Sequence, residues 1–492
     1  MLINPPARVS SFQDFMVTQP VGIAYLASMI RDKYQVKILD ALVLGREKER
    51  WIKWNYVESG LTLEEILAEV KKFNPQVVGI SCLFSAHFLV VADIAAAIKR
   101  QSKDLIIVTG GAHPSFMPED SFRRAPDLDY IVIGEAEESF PQLLQALATG
   151  SGLDAIDGLA WKENGQLRVN PKTRWIENID SIPSPSRDLL PMERYFEINV
   201  PFMYYSKSPR NVSFVTSRGC PFKCSFCSSC NYWGNRIRYR SIENVISELK
   251  ELKSRFRVEE IKFEDDNLLL NRERAKRLFR SMIAERLNLH WNMPNGAYVN
   301  SLVDEELVRL MKESGCFEVI LAFESGDQDV LDHIIHKPED LSKADRVVKL
   351  LRDYQIDIHA FFIIGFPGET REQIKNTFRF ARRLKIDMPY FFLFNPLPGS
   401  ELYDTCLKKG YYEPELVYYT NYYYNSITTD EFNPVQLRRI QYFYTLFRDL
   451  QVLTRNPKLV FSKYLKRVST RRNLLVLPRS IRTALLSLVK ND

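Results

Sequence analysis

Four of the seven cysteines in this chain fall within the thirteen residues 218–230, "RGCPFKCSFCSSC". Sulfur at that density can close disulfides, hold a structural zinc ion or ligate an iron–sulfur cluster. Cys220, Cys224 and Cys227 have the spacing C-x3-C-x2-C. Three thiolates on one compact loop can hold three irons of a cubane cluster and leave the fourth open, since four cysteines are the usual complete set. A structural zinc site takes four closed ligands, and Cys230 could supply the fourth. Zinc-ligand pairs usually lie farther apart along a chain, yet the loop alone leaves both metals open.

The elements that must hold this loop follow a repeating pattern. Over the first ~145 residues, short β-branched apolar runs at 1–4, 36–40, 77–82, 105–111 and 130–135 alternate with helical patterns such as "LTLEEILAEVKKF" and "FLVVADIAAAIKRQ". That alternation predicts an α/β fold with a doubly wound parallel sheet over 1–145. Such a sheet binds ligands beyond the carboxyl ends of its strands. A Pro- and polar-rich stretch over 146–204, including "ENIDSIPSPSRDLLP", reads as a linker. The alternation resumes over 205–400, with strands predicted near 212–216, 260–263, 290–293, 318–323, 357–364 and 388–394. Six βα units fall short of the eight of a closed barrel, so a partial, TIM-like barrel with one open side is expected. The cysteine loop follows its first strand, where active-site loops of parallel barrels lie. Residues 401–492 read as a helical C-terminal region. It is aromatic-rich around Tyr418, Tyr419, Tyr422, Tyr423 and Tyr424, where core packing is favoured over a pocket floor, and basic toward its end.

A chain of 492 residues has room for two or three domains, and 45% apolar with 26% charged residues is a globular composition. No run of eighteen apolar residues and no basic-then-apolar N-terminal stretch is visible, so neither a spanning helix nor a secretory signal is expected. The cytoplasm is the expected compartment, where clustered reduced cysteines favour metal binding. Charge is uneven: from Gln451 onward ten Lys or Arg face one acid, +9 in a chain whose net charge is +6. "KLVFSKYLKRVSTRRNLLVLPRSIRTALLSLVK" mixes these cations with Leu and Val. An amphipathic helix of that composition suits peripheral association with an anionic membrane face. A solvated capping helix is the plainer use, and nucleic acid the least favoured.

"RGCPFKCSFC" after the first strand of a six-unit partial barrel resembles the radical S-adenosylmethionine (radical SAM) superfamily. The resemblance implies that Cys220, Cys224 and Cys227 hold a 4Fe–4S cluster whose open iron is chelated by the amino and carboxylate groups of SAM. Phe226 fits the family's aromatic, and Cys230 lies outside the motif. Later strand ends imply further SAM contacts. Glu264, Asp265 and Asp266 in "KFEDDNLLL" match the segment that meets the SAM ammonium, which a carboxylate suits. Glu324 and Ser325 in "AFESGDQDVLDHI" match positions near the ribose or carboxylate. Gly365 and Gly368 in "FFIIGFPGET" match the segment against adenine, where glycine lets backbone approach a flat ring. "NPLPGSELYD", after the sixth strand, also recurs in this branch.

"PVGIAYLASMIRDKYQVKILDA", "VVGIS", "GGAHPSFMPED" and "YIVIGEAEESF" are similar to the cobalamin-binding domain fused to many radical SAM proteins. This implies cobalamin contacts at Ser81, Gly110 and Gly111, with His113 a weaker candidate because a lone histidine there more often packs than ligates; the same holds for His87. One departure stands out: "NPPARVSSF" lacks the histidine of D-x-H-x-x-G, so no lower cobalt ligand of that kind is expected. The implied activity is methyl transfer from methylcobalamin to a carbon (or phosphorus) of a small-molecule, lipid included, after a 5′-deoxyadenosyl radical abstracts hydrogen. A flavodoxin- or ferredoxin-type electron donor and oxygen sensitivity are implied with it. The alternatives are a cyclase of the anaerobic magnesium-protoporphyrin ester type and, in a different class, a zinc-binding protein that takes a partner or nucleotide.

Overall fold

The computed structural model describes residues 1–10, 16–53, 56–200, 206–419 and 427–455. Its N-terminal sheet has seven strands in the order Gln166–Asn170, Leu159–Glu163, Tyr130–Val132, Ile106–Gly110, Val77–Ser81, Leu2–Asn4, Ile38–Asp40. The five from Tyr130–Val132 to Ile38–Asp40 are parallel, as the alternation predicts. The helices Val21–Ile30, Leu63–Phe73 and Phe88–Gln101 make crossovers between them. The second opens on a capping box, Thr62 with Glu65, that satisfies two otherwise orphaned backbone donors. Successive strand residues feed two separate cores: Leu2, Ile38 and Val108 in one, Ile3, Leu39 and Ile107 in the other. Both faces of this sheet are therefore apolar and covered.

The stretch 146–204 is more than the expected linker. Leu159–Glu163 and Gln166–Asn170 form an antiparallel hairpin that extends the sheet beyond Tyr130–Val132. Its two-residue turn is Asn164–Gly165, at φ +51° and +79°, a pair that Asn-Gly adopts readily. Asn-Gly in "KENGQL" is a local sign of this turn that reading the stretch as a linker does not use. A three-stranded antiparallel sheet of Ala7–Ser10, Tyr56–Ser59 and Glu49–Lys53 was also unforeseen.

The second sheet has six parallel strands paired in chain order: Asn211–Phe214, Glu260–Phe263, His290–Ala297, Cys316–Glu324, Asp357–Ile364 and Met388–Leu393. The first and last do not pair, so the barrel is open. On its outer face Val212, Phe214, Ile261, Phe263, Trp291, Val319, Leu321, Phe323, Phe362 and Phe391 join one core with the surrounding helices. The alternate positions point into the lumen. They are Glu260, Lys262, Asn292, Glu318 and His359, then the aromatic Phe361, Tyr390 and Phe392. The last strand would expose an unpaired edge. Helix Pro434–Arg455 covers it, Gln441 Nε2 donating to Phe391 O (2.6 Å) and Arg448 Nη1 to Pro389 O (2.9 Å). Among the described residues no helix is long and apolar enough to cross a membrane. The basic segment 458–490 and Tyr422, Tyr423 and Tyr424 lie outside the described residues. Tyr418 is packed in the core, its hydroxyl on Asp120.

Candidate iron–sulfur and cofactor site

The cysteine loop leaves the first barrel strand through a two-residue ladder, Ser217–Arg218 against Arg238–Tyr239. Gly219 follows at φ +87°, where an added Cβ would lie 2.4 Å from Arg236 O, so only glycine fits. Ser225 anchors the middle of the loop. Its Oγ donates to Ile334 O (2.8 Å), its N–H to Ile335 O (3.0 Å), and its carbonyl accepts from Leu402 N (2.9 Å). That leaves Cys220, Cys224 and Cys227 partly exposed and all seven cysteines of the chain free. Burial pushes the Cys224 and Cys227 thiols up to about 12, so a bound metal must displace their protons. Ser229 N donates to Cys227 Sγ at 3.4 Å, the kind of bond that steadies a thiolate.

Among the described residues no three His, Cys, Asp or Glu side chains converge on one point as a mononuclear site requires. Cys230 is buried on the short helix Ser229–Trp233. A cubane is wider and takes one thiolate per iron, which three separate thiols on one loop fit.

Loops from the other strands converge on these cysteines. Asp265 is buried, accepting from Thr216 N (3.1 Å), Thr216 Oγ1 (2.7 Å) and Ser217 Oγ (2.5 Å). Its oxygens are thus taken up in holding the cysteine loop. Asp266 is exposed, with Oδ2 accepting from Gly219 N (3.1 Å). Glu264 accepts from Ser213 Oγ (2.6 Å), and its carbonyl from Asn295 Nδ2 (2.8 Å). Glu324 ends the fourth strand at φ +64°, a left-handed backbone that costs a non-glycine residue about 1–3 kcal/mol and gathers at functional sites. Its Oε1 accepts from the buried Lys337 Nζ at 3.1 Å. Sequence reading missed Lys337, which lies in no motif. Ser325 is buried and turned to Thr377 Oγ1 (3.2 Å) and Asp327 N (3.1 Å). Phe226 packs on Phe366, centroids 5.8 Å apart, tying the cysteine loop to the turn after the fifth strand. In that turn Gly365 and Gly368 have φ +90° and +86°, and the missing Cβ of Gly368 faces open space. Glu369 was also missed. Its buried Oε2 accepts from Gly365 N (2.6 Å) and Phe366 N (3.0 Å), and burial pushes the carboxyl up to about 8.

The N-terminal sheet points its carboxyl-end loops at the same place. Tyr232 Oη donates to Gly134 O (3.1 Å), and a Cβ on Gly399 would strike the Phe116 ring at 2.3 Å. Arg218 pairs with Glu135 (2.6 Å) and Glu137 (2.5 Å). Beyond the central strand, Leu83 and Phe84 stand exposed, an apolar surface of the kind a flat ring covers. Ser81 is half-buried beside them. Gly110 and Gly111 are crowded by chain instead, Val132 O at 3.2 Å and Cys82 O at 2.4 Å from the added Cβ. His113 is packed against Phe88, with Nδ1 on Ser85 Oγ (2.9 Å) and a buried Nε2 without a partner; burial lowers it to about 4. The exposed Leu83 and Phe84 suit the apolar face of a large flat cofactor, whereas His113 is packed between Phe88 and Tyr418.

Two parallel sheets facing carboxyl end to carboxyl end, with three free cysteines at the junction, define a two-cofactor α/β metalloenzyme class. Residues 15–144 match the B12 binding domain and residues 214–381 the radical SAM superfamily. The chain is 38% identical over 408 residues to an uncharacterized methyltransferase (PH0819) from Pyrococcus horikoshii, covering 82% of each. It is 31% identical over 451 residues to cytidylyl-2-hydroxyethylphosphonate methyltransferase from Streptomyces wedmorensis, covering 84% of this chain and 83% of that one. The fold is that of the radical SAM methyltransferase TsrM from Kitasatospora setae, solved with cobalamin and a 4Fe–4S cluster. The TM-score is 0.65 at 18% identity, over 83% of this chain and 74% of that one. The chain belongs to the cobalamin-binding radical SAM enzymes, a family that works with SAM, a 4Fe–4S cluster and cobalamin.

Proposed function

We propose that this enzyme transfers a methyl group derived from SAM to an unactivated carbon or phosphorus of a small molecule. One observation carries the reading: the carboxyl ends of both sheets meet at the cysteine loop, through Tyr232 with Gly134, Phe116 with Gly399 and Arg218 with Glu135. Two cofactors bound at those ends would share one enclosed space. Methyltransferases among the two relatives named above support the same reaction class. When bound, the cluster and SAM supply a carbon radical and cobalamin supplies the methyl group; the protein supplies placement and exclusion of water.

In this reading Cys220, Cys224 and Cys227 are the iron ligands. Glu264 and Asp266 face the SAM ammonium, Glu324 the ribose, and Lys337 a carboxylate. Gly365 and Gly368 take the adenine, with Phe226 behind them. Asp265 and Ser325 hold the loops rather than the ligand. Ser81, Leu83 and Phe84 line the corrin crevice, with Gly110, Gly111 and His113 in its wall. The cobalamin unit then includes the hairpin through Asn170. Within the lumen Phe361 and Phe392 stay partly exposed, while Glu260, Lys262, Asn292, Glu318 and His359 are buried. That suits a substrate with a flat or apolar body. A flavodoxin or ferredoxin would deliver the electron. Exposed Tyr442, Phe443 and Leu446 on the last helix, followed by the +9 segment, suit peripheral contact with an anionic membrane.

The test is anoxic purification after expression with cobalamin supplied, then incubation with methyl-labelled SAM and cell extract. About four irons and one corrinoid per chain, with label in a small molecule, are expected. Iron without corrinoid would overturn methyl transfer through cobalt.

A further inference from the structure

Arg218 and Arg238 are register partners in the short ladder that frames the cysteine loop. Two buried guanidiniums side by side repel unless an anion lies between them. The anion comes from the other domain. Glu135, in the loop after strand Tyr130–Val132, places Oε1 2.6 Å from Arg218 Nη1 and Oε2 2.8 Å from Arg238 Nη1. Glu137 takes the second Arg218 nitrogen at 2.5 Å. All four side chains are at most 8% exposed. Tyr25 and Trp233 rings flank the Arg218 guanidinium at 5.2 and 5.4 Å. The same Glu135 Oε2 accepts from Ile176 N (2.8 Å), while Arg238 Nη1 donates to Ile176 O (2.6 Å), so the segment past the hairpin is locked in as well.

Buried ion pairs seldom repay their desolvation, and their attested use is to specify one arrangement over others. We propose that Arg218, Arg238, Glu135 and Glu137 form an interdomain clamp, and that docking of the N-terminal loop completes the frame of the cysteine loop. These are positioning residues: the cluster site and the cobalamin domain are set as one unit, at one spacing. The proposal rests on the cluster assignment above, and its test reads the two apart.

Nitroxides joined through an oxime to p-acetylphenylalanine placed at Lys103 in the N-terminal domain and at Lys349 in the barrel, both exposed, leave the seven free cysteines unlabelled and report the spacing in the full-length enzyme by pulsed EPR. Iron and corrinoid are assayed on the same samples, so unloaded wild type condemns the functional reading while the distance still tests the clamp. A single narrow distance is expected for the parent. Glu135→Gln should broaden it at least twofold and lower iron occupancy, although Glu135 lies in the other domain. Arg218→Met should do the same, and Arg218→Lys should restore most of the narrow distribution. If Arg218→Met or Glu135→Gln does not fold, the milder Glu137→Gln decides by the same readout. Narrow distances and full iron in every folded variant would overturn the clamp.

Discussion

The two parallel sheets are built from the same βα alternation, yet their strands carry opposite instructions. In the N-terminal sheet, neighbours such as Ile107 and Val108 enter two different apolar cores, so both faces are sealed. In the barrel, only the outer residues do so. Phe362 is fully buried among Phe323, Phe380 and Phe391, while its neighbour Phe361 looks into the lumen and stays partly exposed. A sealed sheet can offer a ligand only its loop ends. An open barrel can offer its inner wall as well, where Phe361 and Phe392 stay partly exposed. In the proposed reading the loops hold the cofactors and the lumen selects the substrate.

The largest effect should come from the loop. In the proposed reading Cys224→Ser removes an iron ligand, and SAM cleavage should fall below detection. Cys230→Ser, outside the ligand set, should keep full iron per chain. Equal iron loss in both variants would return the fourth cysteine to the site. Next comes the pair that separates the barrel's two faces. Phe362→Ala should cost about 3–5 kcal/mol in a denaturant titration, as buried aromatics do. Phe361→Ala should cost about 1 kcal/mol or less, because its ring is not sealed in core, while turnover on the identified substrate falls at least tenfold. Comparable destabilisation by both would mean that the lumen is packed core.

The barrel strands were legible because short apolar runs such as "EVILAFE" and "DIHAFFII" alternate with helical patterns at βα spacing. The cysteine loop was legible as a metal-binding loop from its spacing, and as a cluster loop only through its place after the first barrel strand. The hairpin over 159–170 was legible only at Asn164–Gly165, since half of each strand is polar and exposed. Lys337 was not legible, because it reaches Glu324 from thirteen residues away outside any motif. Glu369 sits within "FFIIGFPGET" and bonds the Gly365 turn four residues back, but only the fold shows its carboxyl turned inward and buried. The Arg218–Glu135 pair, 83 residues apart in sequence, was hidden for the same reason.

Glu369 gives a pH-dependent effect and tests whether barrel loops carry costs that the sealed sheet avoids. Its side chain is fully buried, and Oε1 has no partner. Burial disfavours the charged form more than the Gly365 and Phe366 N–H groups favour it, so the folded carboxyl titrates near 8 against an ordinary value of 4.5. An acid whose folded value is raised gives stability that is complete below its unfolded value and lost as pH rises through the folded one. The window is therefore from about 4.5 to about 8, at about 1.4 kcal/mol per pH unit for one proton. Glu369→Gln keeps an acceptor for both N–H groups and has no proton to lose. Between pH 6 and pH 8 the wild-type Tm should fall relative to that variant by about 2 °C, the equivalent of about 2 kcal/mol. Glu318 and Glu339, also raised to about 7, are present in both proteins and cancel in the difference. Parallel Tm profiles would mean that the turn beneath Gly365 and Gly368 holds its carboxylate charged without cost, and that the strain of this barrel end resides in Glu324 alone.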